Sequence, residues 1–221
     1  MSSVAANVAR YRSQIPSHVE LVAVSKTKPV DLILEAYSAG QRHFGENYVQ
    51  ELIEKAPSLP SDIKWHFIGH LQTNKINALL KNVPNLWMVE SVDSVKLADV
   101  LNAACQRLAL RDRLRVLVEV STSDEESKTG IAPSEAESLG QHIIMNCASL
   151  HFCGLMTVAN PIEPAVSFNI LADLRESITS NLGLPADSMI LSMGMSGDWE
   201  GAIALGASEV RLGSSIFGTR V

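Results

Sequence analysis

Lys26 is the residue of this chain with the most obvious chemical use. It belongs to the segment Ser25–Lys28, which directly follows the apolar run Leu21–Val24, and such a run predicts a buried strand. A lysine at the exit of a buried strand is held rigidly and partly out of water, which disfavours its charged form. An uncharged amine is a nucleophile that forms Schiff bases with aldehydes. Lys26 therefore predicts covalent binding of a carbonyl compound, provided that other residues build a pocket around it.

Two glycine- and serine-rich segments near the C-terminus, Ser192–Gly197 and Gly213–Ser215, predict another part of that pocket. Each follows an apolar run that predicts a strand. Glycines let the backbone approach an anion closely, and serine hydroxyls and backbone N–H groups donate hydrogen bonds to it. The same composition also makes simple turns, but two such segments at neighbouring strand exits favour phosphate binding.

Arg211 lies inside the last predicted strand, Glu209–Leu212. If its side chain points into the protein it requires a partner, because an unpaired buried charge is costly. Glu46, another acid or a ring nitrogen of a ligand would serve. If the side chain points outward it lies among the surrounding helices, and the sequence pattern leaves both orientations open. Lys128, in a polar segment further upstream, is another cation that could swing towards the same site.

The histidines and cysteines fit no metal-binding pattern. His66 and His70 lie about 13 Å apart if both belong to one strand, too far to share an ion unless the chain turns sharply at Gly69. We therefore predict no metal site. No common zinc spacing is matched by a second group either, consisting of His142, Cys147, His151 and Cys153.

The elements that must position these residues are short apolar runs alternating with helix-like segments. Apolar residues recur at helical spacing in the latter, and the connections are short. An uninterrupted series of eight such units predicts an α/β fold with a single (β/α)8 TIM barrel over residues 1–221, including an N-terminal helix in residues 1–14. The predicted strands are Leu21–Val24, Arg42–Phe44, Trp65–Ile68, Leu86–Val89, Arg115–Val120, Leu150–Cys153, Ser188–Leu191 and Glu209–Leu212.

A barrel of this kind places its active site at the carboxyl ends of the strands, which brings Lys26 and both glycine–serine segments to one face. A doubly wound open sheet is the alternative. It carries a glycine-rich turn after its first strand, where this chain has Ser25–Pro29 instead. Asp93 is predicted to cap the long helix that follows the fourth strand.

Composition narrows the class of protein. The chain has 221 residues and a net charge of −6, with no long basic block, so nucleic-acid binding is not expected. No apolar stretch is long enough to span a membrane. Three cysteines at irregular spacing argue against a disulfide framework and predict a reducing, cytoplasmic location. Arg10 and Arg12, in an N-terminus without acids, leave a mitochondrial location as the alternative.

The strand exits together resemble a known family. An ordered set of segments from the first strand to the last is similar to the pyridoxal phosphate homeostasis proteins, which are related to the N-terminal domain of alanine racemase. Each segment alone is a modest signal, but the ordered set is specific. The matching segments are Val24–Pro29, Phe44–Glu51, Trp65–Gln72, Glu126–Gly130, Leu191–Ser196, Val210–Gly213 and Ile216–Gly218.

This resemblance implies a fold-type III barrel without the C-terminal β domain, with pyridoxal 5'-phosphate (PLP) held on Lys26 as a Schiff base. It implies that Arg211 faces the pyridine nitrogen and that Asn47 lies beside the cofactor. It also implies a role in vitamin B6 balance, perhaps delivery of PLP to apo-enzymes, by a monomer or weak homodimer. The cofactor-binding residues implied are Lys26, Asn47, Met193, Ser196, Arg211, Gly213 and Ser214.

Three functions follow from these observations. The first is a PLP carrier or regulator without significant turnover, the second a PLP-dependent racemase or decarboxylase, and the third an aldolase that uses Lys26 on a phosphosugar. Racemases and decarboxylases of this fold carry an added β domain, for which the eight units leave no room. Arginine at the ring nitrogen also weakens the cofactor as an electron sink. We therefore expect a carrier and not an enzyme.

Overall fold

The computed structural model describes residues 3–110, 112–122, 129–185 and 187–218. Eight parallel strands close into a barrel in sequence order, and the first strand pairs with the last in the register Val22 to Arg211. The predicted TIM barrel is confirmed. The strands are β1 Glu20–Val24, β2 His43–Glu46, β3 Lys64–Phe67, β4 Leu86–Val92, β5 Leu114–Glu119, β6 Leu150–Met156, β7 Ile190–Ser192 and β8 Glu209–Leu212.

Helices surround the barrel and bury one face each against it. Two short 3-10 turns, Ala56–Ser58 and Thr73–Lys75, lie between them. The first helix packs beside the second and the last, where the side chain of Asn7 donates to the Ile216 carbonyl at 2.9 Å. The helices are α1 Val4–Gln14, α2 Val30–Ser38, α3 Val49–Lys55, α4 Ile76–Asn82, α5 Val95–Arg107, α6 Pro133–Asn146, α7 Pro164–Leu182, α8 Trp199–Ala204 and α9 Ser214–Phe217.

Two strands extend three residues beyond their predicted ends. β4 continues from Val89 to Val92 because Glu90 and Ser91, although polar, are both fully buried. β6 continues from Cys153 to Met156 through Gly154, where an added Cβ would lie 2.1 Å from the Ile190 carbonyl oxygen. Polarity in one strand and glycine in the other ended the predicted strands too early.

The predicted helix cap at Asp93 is wrong by one residue. The Ser94 hydroxyl accepts a hydrogen bond from the Leu97 backbone N–H at 3.3 Å, and α5 begins at Val95. An N-cap side chain reaches the N–H two or three residues ahead, so only the residue directly before the helix has the right geometry.

The core has two layers. The larger lies between the barrel and the helices, and Val210 and Leu212 of β8 belong to it. Because side chains alternate along a strand, Glu209 and Arg211 point the other way, into the barrel. A small apolar cluster that includes Met88 and Leu117 fills another part of the interior. The barrel interior is thus partly apolar and partly charged.

The three cysteines are buried and free of disulfides. Within the ranges that the structure describes, every helix is too short or too polar to cross a lipid bilayer.

Candidate functional site

A cavity of about 490 Å³ opens at the carboxyl ends of the strands. Residues from the exits of β1, β2, β3, β6, β7 and β8 contribute to it, so segments far apart in sequence meet there. Six of the seven predicted cofactor-binding residues line it, although their roles toward a cofactor stay predictions. The lining residues are Val24, Lys26, Lys28, Asn47, Ile68, Val158, Met195, Ser196, Gly197, Arg211, Gly213, Ser214 and Gly218.

A tight and strained turn holds Lys26. The next residue, Thr27, has a φ of 63°, a left-handed conformation that is unfavourable for a β-branched residue. The turn persists because its ends are fixed: the Thr27 N–H donates to Glu51 Oε1 at 2.6 Å, and the Lys28 N–H donates to the Ser25 carbonyl at 3.0 Å. Backbone strain of this kind is characteristic of functional sites, where it fixes one side chain in place.

A buried ion pair supports that turn from below. Lys55 Nζ lies 2.9 Å from both Glu46 Oε1 and the Ser25 carbonyl oxygen, and the Ser25 hydroxyl donates to the same carboxylate at 2.6 Å. Burial raises the pKa of Glu46, while the Lys55 charge and the Ser25 hydrogen bond oppose that shift. Glu46 is therefore committed to Lys55 and is not the partner of Arg211.

Asn47 presents an unsatisfied polar atom at the cavity. Its Oδ1 is buried and accepts no hydrogen bond from the described residues, and no other such side-chain atom belongs to a residue lining the cavity. An orphaned buried acceptor costs about 1–3 kcal/mol, so a ligand that donates a hydrogen bond would be stabilised there. Gly69 makes this position possible, because a Cβ on it would lie 2.2 Å from the Asn47 carbonyl oxygen.

The glycine–serine segments form an opposite wall. Ser196 Oγ lies 2.9 Å from Ser215 Oγ, which joins the segments after β7 and β8. A Cβ added to Gly197 would meet nothing within 4 Å, and one on Gly213 would make only an ordinary contact of 3.4 Å with Val24. The fold itself does not require glycine at these two positions, and their missing side chains leave room for a ligand.

Gly194, in contrast, is required by the fold. Its φ is +98°, and a Cβ there would lie 2.6 Å from the Cβ of Ala202. The segment after β7 therefore combines one glycine that shapes the chain with another, Gly197, that leaves space.

The structure does not place Met193 in the cavity. Its side chain is fully buried in the layer between barrel and helices. Ser192, the residue before it, points into the barrel, so alternation turns Met193 outward. Met195 lines the cavity instead and is 38% exposed. Met195 belongs to the predicted segment Ser192–Gly197, but the predicted cofactor-binding set named Met193 instead; the signal for Met195 is its position two residues further along the same loop.

Arg211 points into the barrel and lines the base of the cavity. Its Nη1 donates to the Ser192 hydroxyl at 2.6 Å and its Nη2 to the Thr157 carbonyl at 2.7 Å. The Ser192 hydroxyl in turn donates to Glu90 Oε2 at 2.6 Å. Of the orientations that the sequence left open, the inward one is observed, and Ser192 links Arg211 to the Glu90 carboxylate.

His66 and His70 lie in different surroundings. His66 is buried inside the barrel, whereas the side chain of His70 is 55% exposed and lies 3.6 Å from Asp93. His66 instead lies 2.6 Å from Glu90 and 3.6 Å from Glu209. Sequence reasoning missed this buried group, because it comes from three different strands.

The second histidine–cysteine group also separates. His142 and Cys147 meet Asp99, and His142 Nε2 lies 2.7 Å from the Asp99 carboxylate. His151 and Cys153 lie in β6 and are not part of this cluster. Lys128 falls outside the described residues, so its predicted approach to the cavity stays untested.

Comparisons with known proteins agree with one another. Residues 1–221 match the sequence model of the family described as alanine racemase, N-terminal domain. A human protein named pyridoxal phosphate homeostasis protein is 50% identical over 224 residues, which cover 96% of this chain and 81% of the human protein. A Schizosaccharomyces pombe protein of the same name is 44% identical over 230 residues, covering 100% of this chain and 94% of its own length.

A solved structure extends this likeness to three dimensions. PipY of Synechococcus elongatus PCC7942, with PLP bound, matches this chain with a TM-score of 0.86 and 33% sequence identity. The match covers 98% of this chain and 100% of PipY.

Proposed function

The chain belongs to the pyridoxal phosphate homeostasis proteins, and we propose that it binds PLP in the cavity of about 490 Å³ and acts in intracellular vitamin B6 balance. The observation that carries this proposal is the set of groups gathered in one cavity. An amine, an arginine and a glycine–serine wall match the three functional parts of PLP, which are its aldehyde, its ring nitrogen and its phosphate.

Each cavity residue has a chemical role that fits PLP. Lys26 would bond to the aldehyde carbon, with loss of water. Ser196, Gly197, Gly213 and Ser214 would hold the phosphate through hydroxyl and backbone N–H groups, and Arg211 would donate a hydrogen bond to the ring nitrogen. When bound, PLP supplies an electrophilic carbon joined to an electron-withdrawing ring.

Storage or delivery of PLP, and not turnover, is the role that the cavity supports. Its described lining contains no carboxylate, histidine, cysteine or tyrosine, and its titratable groups are two lysines and Arg211. Racemisation requires a base and an acid placed near the reacting carbon. Lys26 would be taken up by the aldehyde, Lys28 donates to the Gly218 carbonyl at 3.1 Å, and Arg211 never loses its proton. A PLP-dependent racemase or decarboxylase is the alternative, favoured by the likeness to the alanine racemase domain.

Borohydride trapping tests the covalent site. Incubation of the purified protein with PLP should produce a visible absorption band, and reduction should fix the added mass on the peptide that contains Lys26. Lys26→Ala should abolish both signals. Lys28→Ala is the matched control, since Lys28 lines the same cavity and its variant should keep the label on Lys26. Fully bound protein with unmodified Lys26 would contradict the proposal.

Two further assays separate the carrier from the enzyme. A panel of amino acids should show no racemisation or decarboxylation above the rate of free PLP, and clear turnover would favour the alternative. Loaded protein mixed with an apo PLP-dependent enzyme should restore that enzyme's activity faster than the dissociation of PLP into solution allows. We expect a monomer or weak homodimer in the cytoplasm, and fractionation with size measurement would test both.

A further inference from the structure

A series of hydrogen-bonded side chains extends from the base of the cavity into the barrel. Arg211 donates to Ser192, which donates to Glu90 Oε2, each at 2.6 Å. The other oxygen of Glu90 lies 2.6 Å from His66 Nδ1. All four residues are at most 4% exposed. They belong to strands β8, β7, β4 and β3, so this series of side chains crosses the barrel instead of following one strand.

The series of polar side chains continues to the opposite end of the barrel. His66 Nε2 lies 2.8 Å from His43 Nδ1, and His43 Nε2 lies 3.3 Å from Glu20 Oε2. The Glu20 side chain is 48% exposed at the start of β1. Solvent at the amino ends of the strands is therefore connected to Arg211 through consecutive polar side chains.

The direction of each hydrogen bond follows from the chemistry. The Ser192 hydroxyl has one proton, which goes to Glu90, so its lone pair is what Arg211 contacts. Glu90 then accepts on both oxygens, as an ionised carboxylate does. Burial alone would raise the pKa of Glu90, but the hydrogen bond and charge of His66 and the charge of Arg211 hold it below its usual range.

The histidines have opposite protonation preferences. Burial disfavours a charge on His66, yet Glu209 when it is ionised, and the Glu90 carboxylate, outweigh burial and raise the pKa of His66. Burial and the neighbouring His66 charge lower the pKa of His43 to about 3. The contacts of His66 with Glu90 at 2.6 Å and Glu209 at 3.6 Å favour its protonated form, which donates from both nitrogens. His43 then accepts on Nδ1, and its Nε2 faces Glu20 Oε2 at 3.3 Å. Each hydrogen bond from Arg211 through Ser192, Glu90 and His66 to His43 then has one donor and one acceptor.

We propose that Ser192, Glu90 and His66 are positioning residues that hold the Arg211 guanidinium in one orientation at the base of the cavity. In the same proposal, His43 and Glu20 form the route by which this buried series of side chains exchanges protons with solvent. In an exchange step, His66 Nε2 gives its proton to His43 Nδ1 while His43 Nε2 releases its own to Glu20 or water. Both rings are then neutral and one proton has left the barrel. The charged groups that act on the two histidines are Glu20, Lys64, Glu90, Arg115 and Glu209, and Arg211 acts on Glu90.

Ligand-free protein provides the first test, which does not depend on PLP binding. Nitrogen-15 NMR of the wild type should show separate, slowly exchanging side-chain signals for Arg211. Ser192→Ala and Glu90→Gln should merge them through faster rotation of the guanidinium. Ser91→Ala is the matched control, because Ser91 is the fully buried neighbour of Glu90 and its hydroxyl has no partner in the described part of the chain. Separate Arg211 signals in folded Ser192→Ala protein would overturn the proposal, and this variant decides the question even if Glu90→Gln does not fold.

The proton route has its own readout. His43→Phe should leave the Arg211 signals separate but slow the exchange of the His66 ring protons with deuterated solvent. An unchanged exchange rate in this variant would show that protons reach His66 by another path, and that half of the proposal would fail.

The consequence for the ligand rests on the proposed function. Ser192→Ala should weaken PLP binding about tenfold, as expected for the loss of one hydrogen bond to a charged group, and Ser91→Ala should leave it unchanged. Equal affinity in wild type and Ser192→Ala would mean that the orientation of Arg211 has no effect on the ligand. Failure of wild-type protein to bind PLP would instead refute the proposed function. The NMR experiment would still test whether Ser192 and Glu90 orient Arg211.

Discussion

The two ends of the barrel interior treat polar groups in opposite ways. At the carboxyl ends of the strands, glycine, serine and an asparagine oxygen without a partner among the described residues surround an open cavity. Below it, Glu90, His66 and Ser192 satisfy one another and are closed to solvent. The first arrangement leaves hydrogen-bonding capacity for a ligand, whereas Glu90, His66 and Ser192 use theirs on one another. Arg211 belongs to both, with two donors committed below and the rest of its guanidinium facing the cavity.

The largest effect should come from removing the carboxylate of the closed region. Glu90→Ala leaves Arg211 and His66 without their shared anion, and loss of one partner from a buried charged group costs about 3–5 kcal/mol. The free energy of unfolding, measured in urea without ligand, should fall by that amount. Ser196→Ala, at the open end, should change it by less than about 0.5 kcal/mol. Similar losses in the two variants would remove the distinction between the regions.

A pair of methionines tests the boundary between core and cavity. Met193→Ala should lower the free energy of unfolding by about 2–5 kcal/mol, because it empties a fully buried site, and should leave PLP affinity nearly unchanged. Met195→Ala should do the reverse, weakening PLP binding with little loss of stability. Urea unfolding and fluorescence titration measure the two quantities. A Met193→Ala variant with normal stability and reduced PLP affinity would show that Met193 belongs to the binding site.

The pH dependence of the free energy of unfolding should reveal the proton that Glu209 holds in the folded protein. Burial, with the Glu90 charge, raises the pKa of Glu209 to about 8 from an ordinary 4.5. Between these values the folded protein holds a proton that the unfolded chain has released, so stability is lost as pH rises, on the order of 1 kcal/mol per pH unit. Glu209→Gln has no proton to hold.

The stability of Glu209→Gln relative to wild type should therefore improve steadily from pH 5 to pH 8. Thermal or urea unfolding at several pH values measures this difference. A difference that does not vary with pH would show that Glu209 titrates normally.

The smallest expected effect concerns the glycine–serine wall. Ser196→Ala removes one hydroxyl and should weaken PLP binding roughly fivefold. This factor corresponds to the free energy of about 1 kcal/mol that one hydrogen bond contributes. Pyridoxal, which lacks the phosphate, should bind equally to the variant and the wild type. An equal loss for both ligands would place Ser196 away from the phosphate.

The open region could be predicted from the sequence far better than the closed one. Lys26, Asn47 and Ser214 follow predicted strands, and the barrel rule brings all strand exits to one face. Glu90 was missed because a polar residue ended the predicted strand, and its partners come from other strands. Pairing of this kind depends on the tilt and register of the closed barrel, which local periodicity does not contain. Met193 was misplaced for a related reason, since alternation in the short β7 decides which methionine faces the cavity.

The pairing of β1 with β8 has a consequence for how the protein is made. Lys26 and Arg211 belong to opposite ends of the chain, and the cavity lies across the seam where the barrel closes. Contacts between such distant segments form slowly, because a long loop of chain must be ordered first. During synthesis the cavity cannot form until β8 has left the ribosome, so only a completed barrel can acquire a ligand there. Ligand capture thus reports that folding is finished.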